Sequence, residues 1–283
     1  MCRFFAYKGE EKILNELIIK PSHSILKQSY NALERKEPLN GDGFGIGWYD
    51  DRIGPDPAVF KEITPAWSNE NLREVSNMLL AKLCFAHVRA ASAGLAVNTL
   101  NCHPFKYGNL LWMHNGKIGS FLEKRREFTN RIADPYYGAV KGSTDSEYAF
   151  GIFLTKLDPE KNPKWTADDL YHALKETIRE ILLVTEDSQT YSSLNLAVSD
   201  GVNMAFTRYT SKPDGPPPTL YYVHGGSMEL ENDKLSINDT ESTRCFMVAS
   251  EAVNYEKHLW REIPPNHCLT IDRENNFSLK KLD

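Results

Sequence analysis

Residues 40–49 read NGDGFGIGWY, in which glycines at 41, 43, 45 and 47 alternate with Asp42, Phe44, Ile46 and Trp48. An extended chain points successive side chains to opposite faces, so a strand here carries its glycines on one face. That face has no side chains and can lie against another backbone or a ligand at close range. The opposite face offers Phe44, Ile46 and Trp48 to a core. A phosphate-cradling loop would need a helix start or a GK[ST] sequence behind the glycines, and neither follows.

The segments around this strand predict antiparallel sheets covered by helices rather than a parallel βαβ array. Arg3–Tyr7 and Cys84–Ala91 read as strands, and Leu72, Val75, Leu79 and Leu80 recur at helical spacing over Asn69–Leu83. Leu110–His114 reads as a strand running into a tight turn at Asn115-Gly116, with a charged helix over 121–131. Thr144-Asp145-Ser146-Glu147 has the form of a capping box before a helix over 148–157. Asp145 is therefore expected in the first helical turn, where the helix dipole favours an anion. Further on, a long helix over 167–183 precedes strands at Ser193–Val198, Met204–Thr207, Thr219–Val223 and Cys245–Ala249. Asp200-Gly201 signals a hairpin, and Pro-rich Lys212–Pro218 a surface loop.

Charge and hydropathy narrow the function classes. The formal net charge is −5, and the best basic cluster, Lys124-Arg125-Arg126, is too short for a surface that tracks phosphates, so nucleic acid is not expected as a partner. No apolar run approaches the roughly 18 residues of a membrane-spanning helix. Five cysteines without CxxC spacing, behind no signal-peptide apolar region, predict a reducing cytoplasm.

Four stretches stand out together: MCRFF at 1–5, the glycine strand, FAHVRAASAG with NCHPF at 85–105, and WMHNG at 112–116 followed by STDSE at 143–147. Each has an ordinary explanation on its own: a strand cysteine, a structural arginine ion pair, a turn, a helix start. In this order and combination they resemble the class II glutamine amidotransferases, N-terminal-nucleophile hydrolases, in their stand-alone YafJ-like branch. The matching residues are Met1–Phe4, Gly41–Gly45, His87–Arg89, Asn101 with His103-Pro104, His114–Gly116 and Thr144-Asp145. Later stretches LAVSDG, FTRY, VASEA and EIPPN fit the same branch, so residues 1–283 are expected to form one such domain.

The resemblance implies an α+β fold, a four-layer αββα sandwich of two antiparallel sheets flanked by helices. It also implies roles. Cys2, exposed by removal of Met1, supplies both nucleophile and base, because an α-amine with pKa about 7.7–8.0 can accept the thiol proton. Asn115 and Gly116 receive the oxyanion. Arg89 binds the substrate α-carboxylate, helped by Ser92, and Asp145 binds the α-ammonium. The implied reaction is hydrolysis of glutamine or another γ-glutamyl amide through a Cys2 thioester, without metal or cofactor, with any acceptor or peptidase subunit on a separate chain. Ala90 and Ala93 stand where synthase-linked members carry tryptophan and histidine, so coupling to an ammonia channel is not implied. His87, His103 and His114 are expected to serve structural hydrogen bonding. Two rival readings are a zinc protein using Cys84, His87, Cys102 and His103, and an inactive γ-glutamyl-binding or scaffold subunit.

Overall fold

A computed structural model describes residues 2–35, 37–91, 96–231, 234–238 and 244–282. Met1 and Ser92, both given roles above, lie outside the described residues, as does Ala93. In chain order the strands and helices are β1 (Arg3–Ile13), α1 (Leu14–Ile18), α2 (Ile25–Gln28), β2 (Phe44–Tyr49), β3 (Ala58–Glu62), α3 (Glu70–Met78), β4 (Leu80–Val88), β5 (Phe105–Tyr107) and β6 (Leu110–Lys117), followed by α4 (Phe121–Thr129), α5 (Asp134–Tyr137), α6 (Asp145–Leu157) and α7 (Ala167–Val184). The remainder is β7 (Ser193–Ser199), β8 (Met204–Arg208), β9 (Tyr221–Gly225), β10 (Ser227–Glu231), β11 (Lys234–Asn238), β12 (Cys245–Ala249), β13 (Arg261–Glu262), β14 (His267–Ile271) and β15 (Phe277–Lys281). The chain is α+β, with two antiparallel sheets and flanking helices, as expected. A separate β10–β11 hairpin accompanies them.

Two compact units share the chain, each made of two separate segments: Met1–Leu111 with Thr219–Ile263, and Trp112–Pro218 with Pro264–Asp283. In the first, the sheet runs β13-β9-β12-β1-β4-β2-β3. Its helical side buries Phe5, Tyr7, Phe44, Ile46, Ala86, Val88 and Met247 against Leu14, Leu17, Ile18, Ile25 and Leu26. The registers place Arg3 and Phe44 opposite the same residue, Val88, from either side of β4. The chain before β1, the chain before β2 and the chain after β4 therefore converge at one sheet end.

The bare face of β2 packs on backbone. A Cβ on Gly45 would strike the His103 carbonyl, one on Gly47 would come within 2.8 Å of Pro104, and one on Gly43 within 2.7 Å of Cys102 Sγ. The NCHPF segment fills the space that the missing side chains leave, so this face lies against another stretch of the chain. Gly43 has φ of +112°, a conformation that side chains other than glycine's rarely adopt.

The second sheet is ordered β15-β14-β8-β7-β6-β5. Within the second unit α6 is buried along most of its length, as its apolar sequence from Tyr148 to Leu157 requires. Phe150 and Phe153 stack on Trp112 at centroid distances of 5.5 and 5.0 Å. The Asp200-Gly201 hairpin forms, with Asp200 Oδ1 accepting the N–H groups of Val202 and Asn203 and Gly201 at φ +94°.

Two local expectations are corrected. The helix expected over 69–83 ends at Met78, because Leu79 is extended (φ −92°, ψ 124°) and Leu80 begins β4. Alternation of exposed Leu80 and Lys82 with buried Ala81 and Leu83 then follows the period of a strand. The tight turn expected at Asn115-Gly116 is absent, since β6 runs straight through both residues to Lys117. Gly116 is required by the close approach of the Ser193 carbonyl, which a Cβ would strike.

Candidate active site

Cys2 sits just before β1, where the sheet end gathers the chain after β4. The Ala90 N–H points at Cys2 Sγ across 3.4 Å, and the Ala90 carbonyl lies 3.6 Å from the same sulfur. Arg3 Nη1 donates to the Cys2 carbonyl at 2.9 Å. Cys2 is half-buried, whereas Cys84, Cys102, Cys245 and Cys268 are buried. Burial pushes the Cys84 and Cys268 thiols up to about 12 and raises Cys102 as well. Among the cysteines, Cys2 alone combines access with a backbone donor aimed at sulfur.

Arg89 follows β4 directly. Its backbone N–H donates to Gly43 O at 2.8 Å, and Asp42 N–H donates to Arg89 O at 3.0 Å, which continues the β2–β4 pairing by one step. The Asp42 carboxylate does not pair with the guanidinium; its Oδ2 accepts the Ala91 N–H at 2.8 Å and so fixes the turn that presents Ala90 to Cys2. Arg89 is 3% exposed, and its Nη1 and Nη2 donate to the carbonyls of Asp42 and Ala96, each at 3.3 Å. Among the described residues no carboxylate is within ion-pair distance of it. The equally buried Arg3 shows the usual solution, an ion pair with Glu251 at 2.6 Å. A buried guanidinium served only by carbonyls retains N–H donors and a full charge for an anion.

In the second unit, Asp145 occupies the first position of α6, with Thr144 as the cap accepting from Glu147 N. Asp145 Oδ2 accepts the Ile118 N–H and Oδ1 accepts the Ser146 N–H, both at 2.8 Å. These bonds fix the carboxylate at the positive end of the helix and leave lone pairs for a cationic group. His114 ties the same helix start to β6. Its Nδ1 meets Ser146 Oγ at 2.9 Å, and its Nε2 meets the Ser193 carbonyl at 3.1 Å. A carbonyl only accepts, so Nε2 carries a proton; burial lowers the pKa of the ring, with the Asp145 charge acting in the opposite sense. Asn115 is fully buried in β6, and Gly116 is partly exposed beside it.

The structure thus brings Cys2 and Arg89 to one sheet end of the first unit, and Asp145 beside the segment that follows Asn115 and Gly116 in the second. The histidines expected to be structural divide by role. His114 makes the hydrogen bonds just described, while His103 stacks between His87 and Phe105 at 4.2 and 4.3 Å. Asp42 and Glu251 were given no role from sequence, although both lie in stretches that carried the resemblance.

The family of class-II glutamine amidotransferases matches residues 22–279. The probable glutamine amidotransferase DUG3 of Saccharomyces cerevisiae is 38% identical, over 97% of this chain and 82% of that protein. The gamma-glutamyl-hercynylcysteine sulfoxide hydrolase of Mycolicibacterium smegmatis is 27% identical over 55% of this chain and 63% of its own. Among solved structures, a glutamine aminotransferase class-II domain protein from Silicibacter pomeroyi superposes with a TM-score of 0.66 at 27% identity, covering 99% of this chain and 98% of that one.

Proposed function

The chain belongs to the class II glutamine amidotransferases, enzymes of amidohydrolase type, and on that premise we propose that it cleaves the γ-glutamyl amide bond of glutamine or of a larger γ-glutamyl compound through a thioester on Cys2. The observation that carries this reading is the buried Arg89, which meets no carboxylate among the described residues and whose neighbour Ala90 directs its N–H at the Cys2 sulfur. A desolvated cation with no counter-ion among the described residues calls for an anionic group on the substrate, and an α-carboxylate fits the two-pronged fork.

In the proposed reaction the Cys2 α-amine, freed by removal of Met1, accepts the thiol proton. The thiolate attacks the side-chain amide carbon, and the oxyanion takes hydrogen bonds from the Asn115 side-chain amide and the Gly116 N–H. Collapse breaks the C–N bond, and the amine leaves with the proton carried by the Cys2 amine. Water then attacks the thioester, yielding glutamate and restoring the thiol. Asp145 receives the substrate α-ammonium and Ser92 assists Arg89. The name of the Mycolicibacterium relative supports a γ-glutamyl compound larger than glutamine as a substrate class.

The test is to incubate purified protein with glutamine, glutathione and further γ-glutamyl amides, and to analyse the N-terminal peptide after acid quench. Release of glutamate and a γ-glutamyl adduct on Cys2, both lost in Cys2→Ala, are expected. Unchanged turnover by Cys2→Ala would overturn the mechanism, and absence of turnover with every γ-glutamyl amide would favour an inactive binding subunit.

A further inference from the structure

We infer that Glu251 is a positioning residue for the nucleophile, acting on Cys2 through Arg3. Glu251 follows β12, whose register with β1 sets Ala249 opposite Phe5. The pairing continues one step further: Phe4 N–H donates to Ser250 Oγ and Ser250 N–H to the Phe4 carbonyl, each at 3.0 Å. The next residue on each strand is then Glu251 and Arg3, both about 1% exposed.

The Glu251 carboxylate is filled on all sides by donors. Oε1 accepts Arg3 Nε at 2.6 Å and Glu34 N–H at 3.2 Å; Oε2 accepts Leu33 N–H at 2.8 Å and pairs with His23 Nε2 at 2.7 Å. Such a site suits an ionised carboxylate alone, since a proton on either oxygen would face a donor. With Nε committed to Glu251, the planar Arg3 fork has one direction left for Nη1, which reaches the Cys2 carbonyl at 2.9 Å. Cys2 is the first residue outside β1 and has no ladder partner of its own. Its described contacts are this carbonyl bond and the contacts of its sulfur with Ala90. Glu251 therefore fixes the plane of Arg3, Arg3 fixes the Cys2 carbonyl, and the sulfur is held on the Ala90 N–H.

Lysine cannot reproduce this. A compact ammonium at position 3 keeps the charge against Glu251 but loses the rigid fork that spans carboxylate and carbonyl. Misplacing a reacting group by about 1 Å commonly costs about 10²-fold in rate. The substrate contacts assigned to Arg89 and Asp145 use other bonds, so binding is not expected to follow.

The inference rests on Cys2 being the nucleophile, and the experiment separates the two. Wild-type, Arg3→Lys and Glu251→Gln proteins are compared for kcat and KM with one γ-glutamyl amide, for Cys2 adduct formation and for thermal unfolding. In Arg3→Lys, kcat and the rate of adduct formation are expected to fall about 10²-fold, with KM unchanged and the fold intact. Glu251→Gln, whose amide N–H₂ must face one pair of donors, should show the same kcat loss together with a lower Tm; if it does not fold, Arg3→Lys decides. A folded Arg3→Lys with wild-type kcat, one whose loss lies in KM, or one that does not fold at all each overturns the positioning role. In the last case Arg3 is a fold staple. No adduct in the wild type overturns the reading of the reaction itself, whereas a wild-type adduct formed at the same rate in both variants overturns Glu251 alone.

Discussion

The Ala90 N–H lies 3.4 Å from Cys2 Sγ, and Cys2 is half-buried, open to a reagent. The other four cysteines are buried. Iodoacetamide at neutral pH should therefore add once to the folded protein, at Cys2, and abolish turnover in proportion. Peptide mapping reads the site. Labelling spread over Cys84, Cys102, Cys245 or Cys268 before Cys2 would remove the distinction between a reactive and four sequestered thiols.

Arg89→Lys keeps the positive charge but removes the fork. The lost hydrogen bonds to a charged group, about 1.5–3 kcal/mol, correspond to kcat/KM lower by about 10- to 100-fold, expressed mainly in KM. The melting temperature should change little, because the guanidinium's partners are two carbonyls at 3.3 Å. Wild-type KM in this variant removes Arg89 from substrate binding.

Adjacent residues of β6 should fail in different ways. Asn115→Ala is expected to lower kcat by roughly 10²–10³-fold with KM held, the usual effect of losing one oxyanion donor. Gly116→Ala should instead destabilise the fold, because the new Cβ meets the Ser193 carbonyl. A rise in KM with kcat held in Asn115→Ala would make it a binding residue, and a wild-type melting curve for Gly116→Ala would show that the strand can part from Ser193.

Legibility from sequence followed the range of the interactions. β12 was read to the residue, since Cys245–Ala249 is buried throughout and bounded by polar residues. α6 was placed by its own cap at Thr144. The Leu79–Leu83 stretch was read as helix because its leucines also satisfy a period near 3.6, and only pairing with β1 and β2 makes it a strand. The edge strands β3 and β15, neither with a fully buried residue, gave no clear periodicity. Asn115-Gly116 carries a turn signal that the approach of Ser193, nearly eighty residues on, overrides. The candidate residues were visible because motifs hold them in short stretches, whereas the Glu251 network joins residues 3, 23, 33, 34 and 251 and has no local signature.

Glu251 also sets an acid limit. Burial pushes its carboxyl up, but the His23 hydrogen bond, the Arg3 charge and the Leu33 N–H more than offset this and hold it at about 2, below the ordinary 4.5. A depressed folded-state pKa adds stability that is present above 4.5 and is lost as pH falls toward 2. The shift corresponds to about 3 kcal/mol. Denaturant unfolding should show the stability gap between wild type and Glu251→Gln closing by about this amount as pH falls through that window. A gap independent of pH would mean that the carboxylate is not preferentially ionised in the fold.

The N-terminal amine is the one group in the proposed mechanism whose removal spares every side chain. A chain carrying an uncleavable extension before Cys2 keeps the thiol, its Ala90 donor, Arg89 and Asp145, but replaces a basic amine with an amide nitrogen of no useful basicity. General-base assistance is commonly worth about 10²–10⁴-fold, so γ-glutamyl hydrolysis should nearly vanish. A matching chain whose extension is cut to expose Cys2 should regain turnover, with intact mass confirming a mature N-terminal cysteine. A tag at the other end should do no harm. The extension also tests crowding separately from basicity: after cleavage that leaves one glycine before Cys2, access is nearly restored while the Cys2 nitrogen remains an amide. Activity that returns with the single glycine in place would mean that Cys2 works without its own amine, and another base would then have to be found for the thiol proton.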